Sequence, residues 1–582
     1  MELQPLVSDL TSAPGPPRLR SLFRRREAPG TTRVHPHGLI QVPQQSQGDA
    51  WALGLRRNFP LLARQIAGRR IVYLDSAATS QKPDAVIDAI CEYYRSCNAN
   101  IHRSVYTLAE EATTGFEGAR SRIARFVGGT PDTTIFTRNA TEAINLVAYA
   151  WGRQKVRERE VVLVTKMEHH SNLVPWQLLC QETGAELRYV DVTEDGLLRL
   201  DDLDAELSTG RVRLAAVAHV SNVLGTINPV AEIVRRIHAA GAIALVDGSQ
   251  AVPHLPVDIG QIDADFYAWT GHKALGPTGI GVLHGRRELL ENMGPFLAGG
   301  DMISTVDLQA STWNALPWKY EAGTSMIAEA TGLGAAVDYL AALGMSQVRG
   351  HELALTRQAL GRLAEVPGLT VLGPARADDR AGVISFTIDG AHPHDVAEVL
   401  NRTNVCVRAG HHCAQPLMRH LGLSATTRVS FGPYNATDDI DALMAGLQDV
   451  TALLQQWGSL QTHSELAEHG RHPRNFGDLA NPDLAGQASV ELCGDDLGVH
   501  LRVTDGRVAA IRFHGHGCAL AISAASYASG QYLGLPLTDI SSLTAGWALG
   551  LLPVPVQPIR EPCAVLHLHT VLSALAALSR HK

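Results

Sequence analysis

The chain reads as an α/β protein with a smaller α+β unit attached behind it, and three observations predict this. Between about Trp51 and Trp457, short strand-like runs (IVYLD, EVVLVT, LAAVAHV, AIALVDG) alternate with helix-period stretches such as VAEIVRRIHAAGA, the pattern of a large, mostly parallel sheet covered by helices. Around residues 366–450 the pattern changes to PGLTVLG, GVISFTIDG and TRVSFG, which predicts a small α+β lobe beside the large one. After residue 465, strand-like VELCGDDLGVHLRV and RVAAIRFHGHGC precede helical stretches ending in AVLHLHTVLSALAALSR, so a compact α+β domain closes the sequence.

Four segments follow. Residues 1–48, rich in Pro, Arg and Gln and without hydrophobic periodicity, are expected to be a disordered extension. Such a tail serves either as an inert extension or as an address, for example for packaging into a protein nanocompartment. Residues 49–455 form the larger unit, 456–464 a linker carrying a Gly and small polar residues, and 465–582 the second domain. At 582 residues the chain is too long for one ordinary core.

Composition narrows the function classes. Hydrophobic residues make up 45%, charged residues 19%, and the net charge is −8, which gives no reason to expect a nucleic-acid partner. Apolar runs stop short of the roughly 18–20 residues a membrane-spanning helix needs. Eight cysteines in this length are too sparse for a secreted disulfide framework, so a reducing cytoplasm is expected.

Candidate polar groups stand just after the predicted strands, where open α/β sheets bind ligands. Asp247 ends the strand of LVDGSQAV, a carboxylate suited to keep a pyridinium nitrogen protonated. Lys273 follows a strand and a Thr-Gly-His turn in DFYAWTGHKALGPTGIG, placed for a Schiff base with an aldehyde cofactor. TRNATEAINLV offers a helix N-terminus for an anion. Cys413, in VRAGHHCAQP, lies beside His411 and His412 and five residues after Arg408, surroundings expected to favour a nucleophilic thiolate. Singly, each of these is more often structural; their conjunction is what points to chemistry.

The conjunction, with YLDSAATSQKP, NIHRSVYTLAEEAT, KMEHHSNLVPWQ, AHVSNVLGTINP and KYEAGTSM, resembles the class V, fold-type I pyridoxal-phosphate enzymes over about residues 52–455, and within them the SUF-type (group II) cysteine desulfurases. The resemblance implies that Lys273 carries the pyridoxal 5'-phosphate, Asp247 pairs with the pyridine nitrogen, His169 stacks on the ring, and Gln250 and Asn222 contact the phenolic oxygen side. It assigns the phosphate to Ala140, Thr141, Thr270 and His272, and to Thr324 from a partner subunit, hence a homodimer. Ala140 stands where relatives often carry Thr. Arg428 is implied to bind the substrate carboxylate, with Arg408 a second cation. The implied reaction converts L-cysteine to L-alanine with a persulfide left on Cys413, with Lys273 and His169 handling protons. A selenocysteine lyase, a cysteine sulfinate desulfinase and a thiol-free aminotransferase are the alternatives; the GHHCA segment argues against the last.

In the C-terminal domain Cys493, Asp495, Cys518 and Cys563 make a plausible tetrahedral zinc site, against a chance gathering of cysteines. HPRNFGDL, CGDDLGVHLRV, FHGHGCALAISAAS and IREPCAVLHLHTVLSAL resemble the IscU/SufU-like scaffold family over most of residues 466–576. That implies metal-ligand or sulfur-handling roles for those four residues and a nearby cation in Arg560. Three features depart from the family: the interval from Cys518 to Cys563 is shorter than in SufU-type members, Pro562 stands where IscU-type members place a His, and VPVQPIRE does not carry the IscU-type chaperone-binding proline motif. Three uses remain open: a zinc-dependent persulfide acceptor, an Fe–S cluster scaffold, or a structural module. The fused desulfurase-like partner favours the first, with Fe–S assembly machinery or another acceptor downstream.

Overall fold

The computed structural model describes residues 48–459, 465–490, 494–553, 555, 556 and 558–579. The expected disordered extension therefore lies outside the described residues except for Gly48, and Cys493 lies outside them too.

The central sheet has seven strands: β1 (Thr134–Thr137), β2 (Val161–Thr165), β3 (Glu186–Val190), β4 (Val212–Ala218), β5 (Ile243–Asp247), β6 (Phe266–Thr270) and β7 (Gly281–Gly285), in the order β1-β7-β6-β5-β4-β2-β3. Only β7 runs antiparallel to its neighbours. Side chains alternate between two cores. Leu163, Val217, Val246 and Trp269 enter one, while Val162, Val164, Leu214 and Leu245 enter the other. A sheet buried on both faces explains why these strands read as unbroken apolar runs. Each such Val or Leu stabilises the fold by about 1.5–3 kcal/mol. Among the covering helices are α1 (Thr107–Phe126), α2 (Ala140–Val147), α3 (Val230–Ala239) and α4 (Ile327–Leu343).

Helix α5 (Met345–Leu363) leads into the small lobe, a four-stranded antiparallel sheet of β8 (Leu369–Leu372), β9 (Val383–Ile388), β10 (Arg408–Gly410) and β11 (Thr426–Ser430), ordered β8-β9-β11-β10. It carries α6 (Pro393–Asn401), α7 (Gln415–His420) and α8 (Thr437–Ser459). The last helix corrects the expected linker: α8 continues through residues 456–459, and 460–464 lie outside the described residues. LLQQWGS contains no proline, and one glycine near a helix end costs only about 1 kcal/mol.

The C-terminal domain is a meander of β12 (Leu484–Val490), β13 (Asp495–Thr504) and β14 (Arg507–His516), packed on α9 (Ala519–Tyr532) and α10 (Leu566–Ser579). Leu497, Val499 and Leu501 point inward, while Asp496, His500 and Arg502 face the other way, the strict alternation of a half-covered sheet. The HGHG run is mostly strand: β14 reaches His516 before Cys518 caps α9. Gly515 permits this, since its φ is +124° and a Cβ there would sit 2.2 Å from the Asp496 carbonyl oxygen. The described residues form one compact unit, so this domain packs on the larger one. Among the described residues no helix is long and apolar enough to cross a membrane.

Candidate functional site

Adjacent parallel strands β4, β5 and β6 end at Ala218, Asp247 and Thr270, and all three residues line one cavity of about 230 Å3. Ala140 and Thr141 at the start of α2 form a second wall, with Asn139 capping that helix by accepting from the Glu142 N–H. His169 and Ser171 enter from the turn after β2, and Lys273 from the single helical turn that follows β6. The small lobe closes the cavity with Arg408, His412, Cys413 and Arg428.

Three buried oxygens on this lining, Ser249 Oγ, Gln250 Oε1 and Thr270 Oγ1, have no hydrogen-bond partner. Unsatisfied polar atoms clustered in one cavity are the mark of a missing polar ligand. With a helix N-terminus for an anion, a lysine for a carbonyl and a strand-end carboxylate for a ring nitrogen, the donor set fits pyridoxal 5'-phosphate.

The turn bearing Cys413 is held from several sides. His412 and Cys413 adopt φ values of 54° and 57°, left-handed conformations that cost on the order of 1–3 kcal/mol each unless the surroundings impose them. The His170 N–H donates to the Cys413 carbonyl at 2.8 Å, the Gln415 N–H to His170 Nε2 at 3.1 Å, and the Asn222 side-chain amide to the His412 carbonyl at 2.6 Å. Arg408 and Arg428 face each other across β10 and β11, where like charges repel. Asp75 offsets this, accepting from Arg428 Nη2 at 3.2 Å and from Arg408 Nε at 3.2 Å. Arg428 is buried and also donates to the Asn222 carbonyl at 2.9 Å; Arg408 is half exposed.

Protonation follows burial. Desolvation, reinforced by the Arg428 charge and opposed by Asp247, brings the Lys273 amine down to about 8. His169 is pushed down to about 3 by burial and then by Lys273. Its Nδ1 accepts the Ser171 N–H at 3.1 Å, so the neutral ring carries its proton on Nε2. Burial also holds His412 far below its ordinary value. His412 therefore stands beside Cys413 as a neutral imidazole, while Lys273, Arg408 and Arg428 line the same cavity as that thiol.

A second cluster gathers Asp495, Cys518 and Cys563, all buried, with ligand atoms within 4.8 Å of one another. The Cys518 N–H donates to Asp495 Oδ1 at 2.9 Å and its thiol to Oδ2 at 3.2 Å, while Arg560 Nη2 lies 3.3 Å from the same sulfur. The hydrogen bond with Cys563 and burial push the Cys518 thiol upward. Two soft sulfur donors and a carboxylate, all buried, fit a zinc ion or an iron–sulfur unit.

The small lobe presses on this cluster. Asp395 in α6 accepts the Ala519 N–H at 3.0 Å, and Asp395 and Glu398 receive Arg560 at 3.5 and 2.6 Å. His392 Nε2 lies 3.2 Å from Asp495 Oδ1 yet makes no hydrogen bond, and burial keeps His392 and His394 neutral, the latter down to about 4. Gly494, at φ +79°, packs where a Cβ would stand 2.8 Å from the Ser424 carbonyl oxygen, in the loop that follows α7.

Residues 72–443 match the family model described as aminotransferase class-V, and residues 461–582 match the NifU-like N terminal domain. The chain belongs to the class-V aminotransferase family. A probable cysteine desulfurase of Streptomyces coelicolor is 52% identical over 403 residues, covering 68% of this chain and 96% of the relative. A cysteine desulfurase of Haloferax volcanii is 46% identical over 404 residues, covering 67% and 94%. In structure, the apo cysteine desulfurase of Thermococcus onnurineus superimposes with a TM-score of 0.66 at 36% identity, covering 69% of this chain and 98% of its own. A cysteine desulfurase of Escherichia coli in an S-sulfonic acid form gives 0.64 at 38%, covering 69% and 98%.

Within this class-V aminotransferase chain, every residue expected around the cofactor except Thr324 lines the one cavity. Thr324 is exposed, in keeping with its expected use by a second copy. Two residues are engaged differently from expectation. The Asn222 amide holds the Cys413 turn, and the Gln250 amide nitrogen donates to the Ala77 carbonyl at 2.7 Å, leaving only its oxygen toward the cavity. Sequence reasoning missed Asp75, while His170 and Ser249 fell within the post-strand stretches 168–172 and 247–250 without being given a role. Asp75 carried a usable signal, since it ends the IVYLD strand as Asp247 ends its own. His392 and His394 carried none, because only the packing of two domains gives them a target.

Proposed function

We propose that this protein is a pyridoxal-phosphate-dependent cysteine desulfurase that takes sulfur from L-cysteine and passes it to its own C-terminal domain. The supporting observation is the placement of Cys413, on a turn held by His170 and Asn222, in the same cavity as Lys273, Asp247 and Arg428. Lys273, Asp247, His169 and the start of α2 would hold the cofactor, which supplies an electron sink when bound. Arg428, buried and with an unpaired Nε, takes the substrate carboxylate, and Arg408 adds a second charge at the mouth. Neutral His169, and Lys273, whose amine at about 8 gives up its proton more readily than a free lysine, move protons at the substrate. The Cys413 thiolate attacks the substrate sulfur, the C–S bond breaks, and the products are alanine and a Cys413 persulfide. Thr324 serves the cavity of a second copy, which makes the working enzyme a homodimer.

The onward step is transfer of the terminal sulfur to Cys493, regenerating the Cys413 thiolate. Gly494 against Ser424, Asp395 at the start of α9 and Arg560 between the two domains all hold the acceptor on the small lobe of the same chain. Asp495, Cys518 and Cys563 hold zinc together with Cys493, and neutral His392, 3.2 Å from Asp495 Oδ1, is a further ligand available to the ion when the Cys493 thiol is released to react. The test is peptide mass spectrometry after incubation with cysteine. Persulfide on Cys413 and then Cys493 is the expected result; sulfur on Cys413 alone overturns the relay. Zinc content without brown iron–sulfur absorption separates an acceptor from a cluster scaffold.

A further inference from the structure

The C-terminal sheet carries a second group of ligating side chains on the face turned away from Asp495. Asp478, His500 and His514 place one ligand atom each within 4.8 Å of one another. In the pairing of β13 with β14, His514 opposes Gly498, so His500 lies two residues along on the same face and the imidazoles meet diagonally, ring centroids 4.8 Å apart. Gly498 makes the approach possible: a Cβ there would stand 2.4 Å from His514 Cε1. The inward-pointing Leu497, Val499 and Leu501 separate this group from the buried thiols.

Asp478 reaches the pair because its loop is fastened across the sheet. The Gly477 N–H donates to the Phe513 carbonyl at 2.8 Å, Arg512 donates to the Phe476 carbonyl at 3.4 Å, and Arg502 donates to the Ala480 carbonyl. These anchors stand on both sides of Asp478, leaving its carboxylate 3.8 Å from His500 Nδ1. Among the described residues, the other group on that nitrogen is the Leu479 N–H at a long 3.4 Å, a weak bond easily exchanged. A cleft of about 480 Å3 beside the imidazoles, lined also by Gln487 and Ser573, leaves room for water ligands.

We propose that Asp478, His500 and His514 form a second metal site, for a borderline divalent transition cation of the zinc, cobalt or nickel kind. Two imidazoles and one carboxylate are the donors such ions prefer over magnesium or calcium, and three protein ligands leave open positions for solvent. The site is half exposed, so its ion exchanges readily, unlike one held by the buried thiols. His500 binds through Nδ1 and keeps its proton on Nε2.

Titration of the full-length protein with Co2+ and with Ni2+, followed by calorimetry and metal analysis, tests this. The expected result is an equivalent of cation that is lost in the His500→Gln/His514→Gln double variant, while Cys518→Ser leaves that equivalent in place. Asp478→Asn should weaken the same equivalent about tenfold, as losing a partner at a metal site typically does. Cobalt at this site gives weak visible bands without the sulfur charge-transfer absorption that thiolate ligation produces. Unchanged stoichiometry and affinity in a double variant with native circular dichroism overturn the proposal. So does an Asp478→Asn variant that binds as tightly as the parent protein, because the carboxylate is then no ligand.

Discussion

The two cysteine sites of this chain are built on opposite principles. Cys413 stands in a left-handed turn at the rim of a polar cavity, partly open, with Lys273 and Arg428 turned toward it. Cys518 and Cys563 are buried around a carboxylate, with Arg560 against one sulfur and the small lobe closing over them. An accessible thiol beside cations is suited to attack. Thiols packed in this way are suited to holding an ion, because each sulfur has a fixed partner and no approach path. The difference suits one site to turnover and the other to retention, and α6 with its cap, carrying His392, Asp395 and Glu398, lies against the second.

The severest way to break this contrast is at the cavity. Lys273→Ala should remove the visible absorbance of the bound cofactor and reduce alanine formation by on the order of 10³-fold or more, since carbonyl attachment and proton transfer both rest on that amine. An active yellow variant would place the chemistry elsewhere. Cys413→Ala sharpens the contrast: cofactor absorbance and cysteine binding persist, sulfide release to a thiol acceptor stops, and undiminished alanine production would remove Cys413 from the reaction. Asp395→Ala is expected to be milder. It deletes the acceptor for the Ala519 N–H and one partner of Arg560, which should slow sulfur arrival at Cys493 about tenfold, the worth of one charge-assisted hydrogen bond. Turnover with a small thiol acceptor should stay at the parent level; if it falls in proportion, Asp395 supports the cavity and not the docking of the acceptor.

Legibility in the sequence followed the same division. Strand ends announce themselves locally, so Asp247 and Thr270 could be placed from an apolar run and the polar residue that stops it. Lys273 and Cys413 were marked by their flanking turns and gained weight only in conjunction with the other motifs. Asp75 was visible as a strand-end carboxylate, but its work of keeping two opposed arginines together required knowing that β10 and β11 pair Arg408 with Arg428, a non-local fact. The protonation of His412 was not legible either, because it is burial in the folded chain that keeps that ring neutral. In the C-terminal domain the ligand types were readable, yet the helix that replaces the first part of the expected linker was not, since Gln, Trp and Gly near a helix end look the same as the start of a loop.

The mildest test concerns what keeps His169 in place. Glu168, next to it, is fully enclosed and accepts from the Thr165 hydroxyl at 2.6 Å, the Asn172 amide at 2.7 Å and the Ala218 N–H at 3.0 Å, tying β2, the turn and β4 together. Burial outweighs those donors and pushes its carboxyl up to about 8. An acid with a higher pKa folded than unfolded holds its proton longer in the native state. Its contribution is therefore fully present below the ordinary carboxylate range and is lost as pH rises toward 8. Native stability should decline across that window, by an amount on the order of a few kcal/mol at most. Glu168→Gln, with no proton to lose, should flatten the profile measured by urea unfolding while leaving the cavity able to bind cofactor. A variant with the same pH slope as the parent would show that Glu168 is ionised in the fold, held by its three donors against the cost of burial.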